Sequence, residues 1–337
     1  MKPLSRMLAA GVLALGLATP ALAVDITGAG ATFPYPIYAK WADAYKKETG
    51  AGLNYQSIGS GGGIKQIQAK TVTFGASDMP LKAEELQKAG LVQFPTVLGG
   101  VVPVVNIDGM KQGDVTLDGP TLAKIFMGEI KTWNDPAIAK LNAGVSLPSA
   151  PISVFFRSDE SGTTENFTKY LKAAGGGAWT GEPAKKWTGT GAGKEKSAGV
   201  AEGVKSTKNS ITYVEWSYAV DNKLTTAQID TGSGTPVELS AESAGKALAA
   251  AKPAGTGSDL ALKLDYATKA PGAYPIILAT YEIACTKGLP AEKTALVKSF
   301  LSYFVSKDGQ SSLTELNYAP LPAEIQTKVD AAIQAIS

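Results

Sequence analysis

Apolar positions along the chain alternate between two periods. Within residues 35–48, Ile37, Trp41 and Tyr45 stand four apart and share one helical face. The next segments read in turn as a strand, "GLNYQSIG", a helix, "GIKQIQAKT", a strand, "FGASD", and a helix, "KAEELQKAG". Residues 92–106, "VQFPTVLGGVVPVVN", form a longer and more apolar run, which predicts a strand leaving one lobe for another. Helices "TLAKIFMG" and "DPAIAKLNA", the strand "ISVFFRS" and a helix beginning after Ser161 follow. A second apolar run at 274–285, "YPIILATYEIAC", would carry the chain back. The segments "EKTALVKSFLSYFVSK" and "PAEIQTKVDAAIQAI" are amphipathic packing helices. Such alternation predicts an α/β fold with mostly parallel sheets. Two crossings make the first lobe discontinuous, with residues 24–103 and 276–337 in lobe 1, residues 104–275 in lobe 2, and a hinged ligand cleft between them.

The start of the chain changes which part is expected to fold. Lys2 and Arg6, an apolar run from Met7 to Ala18, and Ala21-Leu22-Ala23 form a secretory leader, residues 1–23, cleaved before Val24. The run is too short to span a bilayer and is interrupted by Pro20. No cysteine follows the cleavage site, so the expected product is periplasmic, without a lipid anchor or membrane insertion. About 314 of the 337 residues then remain, more than one core usually organises.

Composition narrows the chemistry. The leader holds two of the 32 basic residues and no acid, which leaves 30 basic against 30 acidic and disfavours a nucleic-acid or anionic-membrane partner. Histidine is absent, which excludes a histidine-dependent hydrolytic triad and a histidine-rich metal site. No cofactor and no metal are expected. Cys285, the single cysteine, lies in an apolar strand and reads as packing. The glycine-rich stretches 175–177 and 189–193 read as loops. The second, in "TGTGAGKEKS", fails as a phosphate-cradling P-loop, which needs glycine where Thr188 stands and Ser or Thr where Glu195 stands.

One constellation points to anion binding. In "FFRSDESGTTENFTKYL", Arg157 ends a strand and Ser161-Gly162-Thr163-Thr164 opens a helix. Unpaired N–H groups, hydroxyl donors and the positive end of a helix dipole converge there. Arg157 adds a planar fork that suits two oxygens of a tetrahedral oxyanion, and Asp159 could fix its direction. The same residues also fit a plain N-cap and a surface ion pair. Two further strand-to-helix turns repeat the theme, with Thr32 and Phe33 in "TGAGATFPYPIYAKW" and Ser60 in "IGSGGGIKQIQ". In open α/β sheets such turns line the ligand edge. Asp78, in "FGASDMP", is either an N-cap for the following helix or an acid facing the anion. In the second case it demands a proton from the ligand, which hydrogen phosphate has and ionised sulfate lacks.

The segments "TGAGATFPYPIYAKW", "IGSGGGIKQI", "FGASDMPL", "QFPTVLGGVVPVVN", "LDGPTLAKIFMGEIKTWND", "RSDESGTTENFTKYL" and "ITYVEWSYA" together resemble the periplasmic phosphate-binding protein of the high-affinity phosphate ABC transporter. The resemblance covers nearly the whole mature chain, in order, and implies the two-lobed type II periplasmic binding fold. It implies phosphate contacts from Thr32, Phe33, Ser60 and Asp78 in the first lobe and from Arg157, Ser161, Gly162 and Thr163 in the second, with Asp159 supporting the arginine. Two positions depart from it. Phe156 stands where some relatives carry a second basic residue, and Gly61 where serine is common. The expected function is high-affinity phosphate binding and delivery to membrane permease subunits by a monomer that is not an enzyme. An extracellular phosphate-scavenging or adhesion module would share the site, and a phosphatase is the reading from another class.

Overall fold

The computed structural model describes residues 25–337, so the expected leader lies outside the described residues. The first lobe opens with β1 (Ile26–Gly30), α1 (Tyr35–Thr49), β2 (Leu53–Ser57), α2 (Ser60–Gln68), β3 (Phe74–Ser77) and α3 (Ala83–Ala89). Helix α1 follows its apolar spacing, burying Ile37, Tyr38, Trp41 and Tyr45. Pro36 sits in its first turn, where a missing N–H costs nothing, and Gly50 ends it in the left-handed conformation. Strands β1, β2 and β3 pair in parallel.

β4 (Leu91–Asn106) is one 16-residue strand, buried along all but its last residue. After it come β5 (Thr116–Asp118), α4 (Gly119–Met127), α5 (Pro136–Leu141), β6 (Ser153–Arg157), α6 (Gly162–Ala174), β7 (Ala192–Lys194), α7 (Lys196–Ser206), β8 (Ser210–Glu215) and α8 (Trp216–Asp221). β9 (Thr225–Thr226), β10 (Gln228–Asp230), α9 (Ala241–Ala249), β11 (Lys252–Pro253) and β12 (Leu262–Lys263) complete the second lobe. β13 (Ile277–Cys285) returns to the first lobe, followed by α10 (Ala291–Val305), α11 (Lys307–Ser311) and α12 (Ala323–Gln334).

The long sheet runs β2-β1-β3-β13-β4-β8-β6-β7. β4 carries it from lobe to lobe by changing partner. Residues Leu91 to Gly100 pair with β13, and Val101 to Asn106 pair with β8. The return crossing lies beside the first, where Val101 N–H donates to the Ile276 carbonyl at 2.8 Å. Two corrections follow. The sheet is mixed, because β4 and β13 run antiparallel to their neighbours. The last two residues of the 189–193 stretch, read as loop, belong to an edge strand, Ala192–Lys194, that pairs with β6. The glycine content of that stretch hid a short ladder that neighbouring β6 supplies. Cys285 is buried, as its strand context predicts.

One contiguous core runs through both lobes, with Tyr38, Trp41, Phe74 and Phe304 packed ring to ring in the first. Opposite Pro95, which lacks an N–H for the ladder, the β4–β13 register shifts between Thr280 and Tyr281. That irregularity lies beside the cleft, a common place for a bulge to re-aim a side chain.

Candidate functional site

The strand-to-helix turns before α1, α2 and α6 meet at the lobe junction. Ser60, at the start of α2, is the pivot. Its Oγ accepts from Asp78 N–H at 3.2 Å within the first lobe and from Gly162 N–H at 3.1 Å in the second. With both lone pairs engaged, Ser60 has only its proton to offer a ligand. Gly162 permits this approach, since a Cβ there would lie 2.6 Å from Ser60 Oγ and 2.7 Å from Asp78 Cβ.

Arg157 lies at the end of β6, only 2% exposed, which excludes a surface ion pair. It is the one arginine after Arg6. Its Nε donates to Asp159 Oδ1 at 2.7 Å and its Nη2 to Asp159 Oδ2, a two-pronged pairing that fixes the guanidinium plane. Burial works against the guanidinium's charge, but the bonds and charge of Asp159 outweigh it and raise its pKa. Burial likewise pushes Asp159 up, and Arg157 more than reverses this, holding Asp159 below the usual carboxylate range. Asp159 Oδ1 also accepts from Lys196 N–H at 2.9 Å, at the start of α7.

Ser161 is an N-cap, accepting from Thr164 N–H at 3.3 Å, and its own N–H donates to the Lys185 carbonyl at 3.0 Å. Its hydroxyl proton is what remains for a ligand. Thr163 is buried, with Oγ1 3.5 Å from Arg157 Nη1. Phe33 packs its ring on Tyr318 and its carbonyl accepts from Tyr318 Oη at 2.7 Å, so its backbone N–H is the group it can present. Thr32 Oγ1 reaches across the junction to Ser197 Oγ at 2.6 Å.

Asp78 is not a helix cap; Lys82 holds that place before α3. Asp78 is 2% exposed and accepts from Thr280 Oγ1 at 2.7 Å. Its pKa is pushed up to about 7, first by burial and then by Glu215, against the opposing effects of Thr280, Arg157 and Lys185. The group therefore ionises near neutrality and welcomes a proton from whatever it faces. Asn166 Nδ2 links the lobes behind it, donating to the Asp78 and Gly162 carbonyls at 2.8 and 2.9 Å.

The eight expected contact residues and Asp159 thus come together. The sequence reading missed Ser197, Glu215 and Thr280. Ser197 accepts from Arg157 Nη1 at 3.0 Å, and buried Glu215 lies 3.9 Å from the same nitrogen. Glu215 was legible as an acid at the end of the apolar "ITYVEW", and Ser197 as the end of the glycine-rich "TGTGAGKEKS". The two departures also have structural correlates. Phe156 stacks on Trp187 at 5.6 Å between centroids. Gly61 donates its N–H to the Glu160 carbonyl at 3.0 Å and leaves room for the Glu160 side chain.

The geometry gathers N–H and O–H donors, one buried arginine and an acid raised toward neutrality at one point, a set of groups whose chemistry suits an oxyanion that carries a proton. A family model described as the PBP superfamily domain matches residues 17–308. The phosphate-binding protein PstS of Haemophilus influenzae is 46% identical, over 94% of this chain and 95% of that protein. That of Pasteurella multocida is 45% identical, over 92% and 90%. A high-affinity periplasmic phosphate-binding protein, PfluDING, solved with phosphate bound at pH 8.5, shares the fold with a TM-score of 0.72, 24% identity and coverage of 91% of this chain and 93% of its own.

Proposed function

The chain belongs to the PBP superfamily and, within it, to the phosphate-binding protein PstS family, and from that premise we propose that it binds inorganic phosphate in the periplasm and delivers it to an ABC transporter permease. The observation that carries this reading is the pairing of one buried arginine and a ring of neutral donors with Asp78, an acid that titrates near neutrality. Thr32, the Phe33 N–H, Ser60, Arg157, Ser161, Gly162 and Thr163 replace the ion's lost water. Asp78 accepts its proton, and Asp159 holds the arginine. Fully ionised sulfate meets ionised Asp78 with no proton between them and must bind together with one from solution, at a cost of about 1.4 kcal/mol for each pH unit above about 7.

The contacts Ser60–Gly162, Thr32–Ser197 and Gly61–Glu160 join the two lobes around this pocket, which supports closure over the ion. The partner change of β4 at Gly100/Val101, beside Ile276, supports a division near residues 24–103 and 276–337 against 104–275. The leader pattern of residues 1–23 supports export. A binding rather than enzymatic role accords with the relatives' names and with serine hydroxyls that have no histidine to activate them.

Equilibrium dialysis of the phosphate-stripped protein against radiolabelled phosphate tests the proposal. One equivalent bound, with no hydrolysis of a generic phosphomonoester, is the expected result. Absence of binding would refute it, and turnover would move the chain to the phosphatase class.

A further inference from the structure

A second fully buried carboxylate lies among the donors. Glu215 ends β8 and is fully buried. Its Oε1 accepts from Thr163 Oγ1 and from Ser197 Oγ at 3.1 Å, and Arg157 Nη1 lies 3.9 Å away. Its Oε2 is equally buried and finds no partner among the described residues. Such an arrangement is costly unless it serves a purpose, because a buried acceptor without a donor forfeits its hydration.

Proton counting shows what Glu215 does to its neighbours. A carboxylate only accepts, so Thr163 and Ser197 turn their protons toward it. Ser197 Oγ also accepts from Arg157 Nη1 at 3.0 Å and lies 2.6 Å from Thr32 Oγ1. With the Ser197 proton committed to Glu215, Thr32 must donate its own to Ser197. One acid thereby sets hydroxyl directions in both lobes. Each of these hydroxyls has a single proton, and an anion in the pocket competes with Glu215 for it.

Charge acts in the same direction. Asp159 already pairs with Arg157 through Nε and Nη2, so Glu215 is not required to balance the arginine. The groups facing it are Arg157 from β6, Thr163 from α6, Ser197 from α7, Tyr218 from α8, Tyr318 from the C-terminal region and Asp78 across the junction. Arg157 is the one cation among them.

We propose that Glu215 is an affinity-limiting positioning residue: it competes with the bound anion for the Thr163 and Ser197 protons and for Arg157, and its charge opposes the anion's. This rests on the phosphate reading above. Such a carboxylate suits a receptor that must release its ion as well as capture it. Its role differs from that of Asp78. Glu215 opposes phosphate and sulfate alike, because both are dianions at pH 8, whereas Asp78 tells them apart by the proton.

The test is calorimetric titration of the stripped, full-length mature protein with inorganic phosphate and with sulfate at pH 8. Glu215→Gln keeps the shape and the accepting Oε1 while removing the charge. It is expected to tighten phosphate binding by at least about tenfold, with the phosphate-to-sulfate ratio within about threefold of the unmutated value. Glu215→Asp keeps the charge and is expected to show no tightening. Unchanged or weaker phosphate binding in Glu215→Gln would overturn the proposal, as would equal tightening in both variants, which would assign the effect to packing. A Glu215→Gln protein that fails to fold would also overturn it, since a competitor is dispensable for folding. Failure of the unmutated protein to bind phosphate would refute the functional reading itself.

Discussion

Thr280 donates its hydroxyl to Asp78 Oδ1 at 2.7 Å although the two residues stand 202 positions apart. The contact uses one carboxylate oxygen and leaves the other for a ligand that brings a proton. Because Asp78 titrates at about 7, selectivity should depend on pH. Above that value the acid is ionised and sulfate must bind together with a proton from solution. Sulfate affinity should therefore rise about tenfold per unit as pH falls from 9 toward 7, then level off. Titrations across that range check the slope, and Asp78→Asn should make sulfate binding independent of pH.

Arg157→Lys should weaken phosphate binding by about a hundredfold or more. A lysine supplies the charge but not the fork that grips Asp159 and two ligand oxygens at once. Equilibrium dialysis measures the loss. A change below about threefold would show that charge alone suffices.

Gly61 and Glu160 are matched to each other across the lobes. A Cβ at position 61 would lie 2.3 Å from Glu160 Oε2 and 2.4 Å from its Cβ. The Glu160 carboxylate also pairs with Lys65 of α2 at 2.7 Å. Gly61→Ser should loosen closure and cost about tenfold in phosphate affinity, or ~1.4 kcal/mol. Gly61→Ser combined with Glu160→Gly should recover most of it. A double variant as weak as the single one would break the link between these positions.

The expected secondary structure emerged where side-chain spacing alone decides it, as for Ile37, Trp41 and Tyr45 on α1. The site was half legible for a related reason. Ser60, Arg157 and Ser161 sit at strand-to-helix turns, whose donors are a local property of the backbone. Glu215 also stands at such a turn, at the end of β8 before α8, but as an acceptor among donors it gives no anion signal. Thr280 carries no local mark: it is a polar residue in a buried strand, and only the pairing of β13 with β3 brings it to the cleft. The Ala192–Lys194 strand was hidden likewise, because a short edge strand owes its existence to its partner.

Stability of the phosphate-free protein should fall as pH rises from 5 to 8. Asp78 and Glu282 both have folded-state pKa values raised by burial, so the folded protein holds protons that the unfolded chain releases above its ordinary carboxylate range. Their contribution is fully present below that range and is lost as pH rises through the folded values. Glu282 accepts from Tyr38 and Thr96 in the first-lobe core, while its Oε2 has no partner among the described residues. Glu282→Gln should raise the melting temperature at pH 8 and change it little at pH 5. Thermal melts at the two pH values would reveal a flat profile if the account is wrong.

The central claim is that Asp78 selects phosphate by accepting its proton. The direct measurement is calorimetric titration of the phosphate-stripped protein at pH 8, with phosphate and sulfate in turn, for the unmutated chain and for Asp78→Asn. The account predicts tight one-to-one phosphate binding and sulfate binding weaker by at least about tenfold, the cost of taking one proton from solution a unit above the Asp78 pKa, with that gap narrowed in the variant. Sulfate binding as tight as phosphate binding in the unmutated chain, or an equal gap in both proteins, would contradict it.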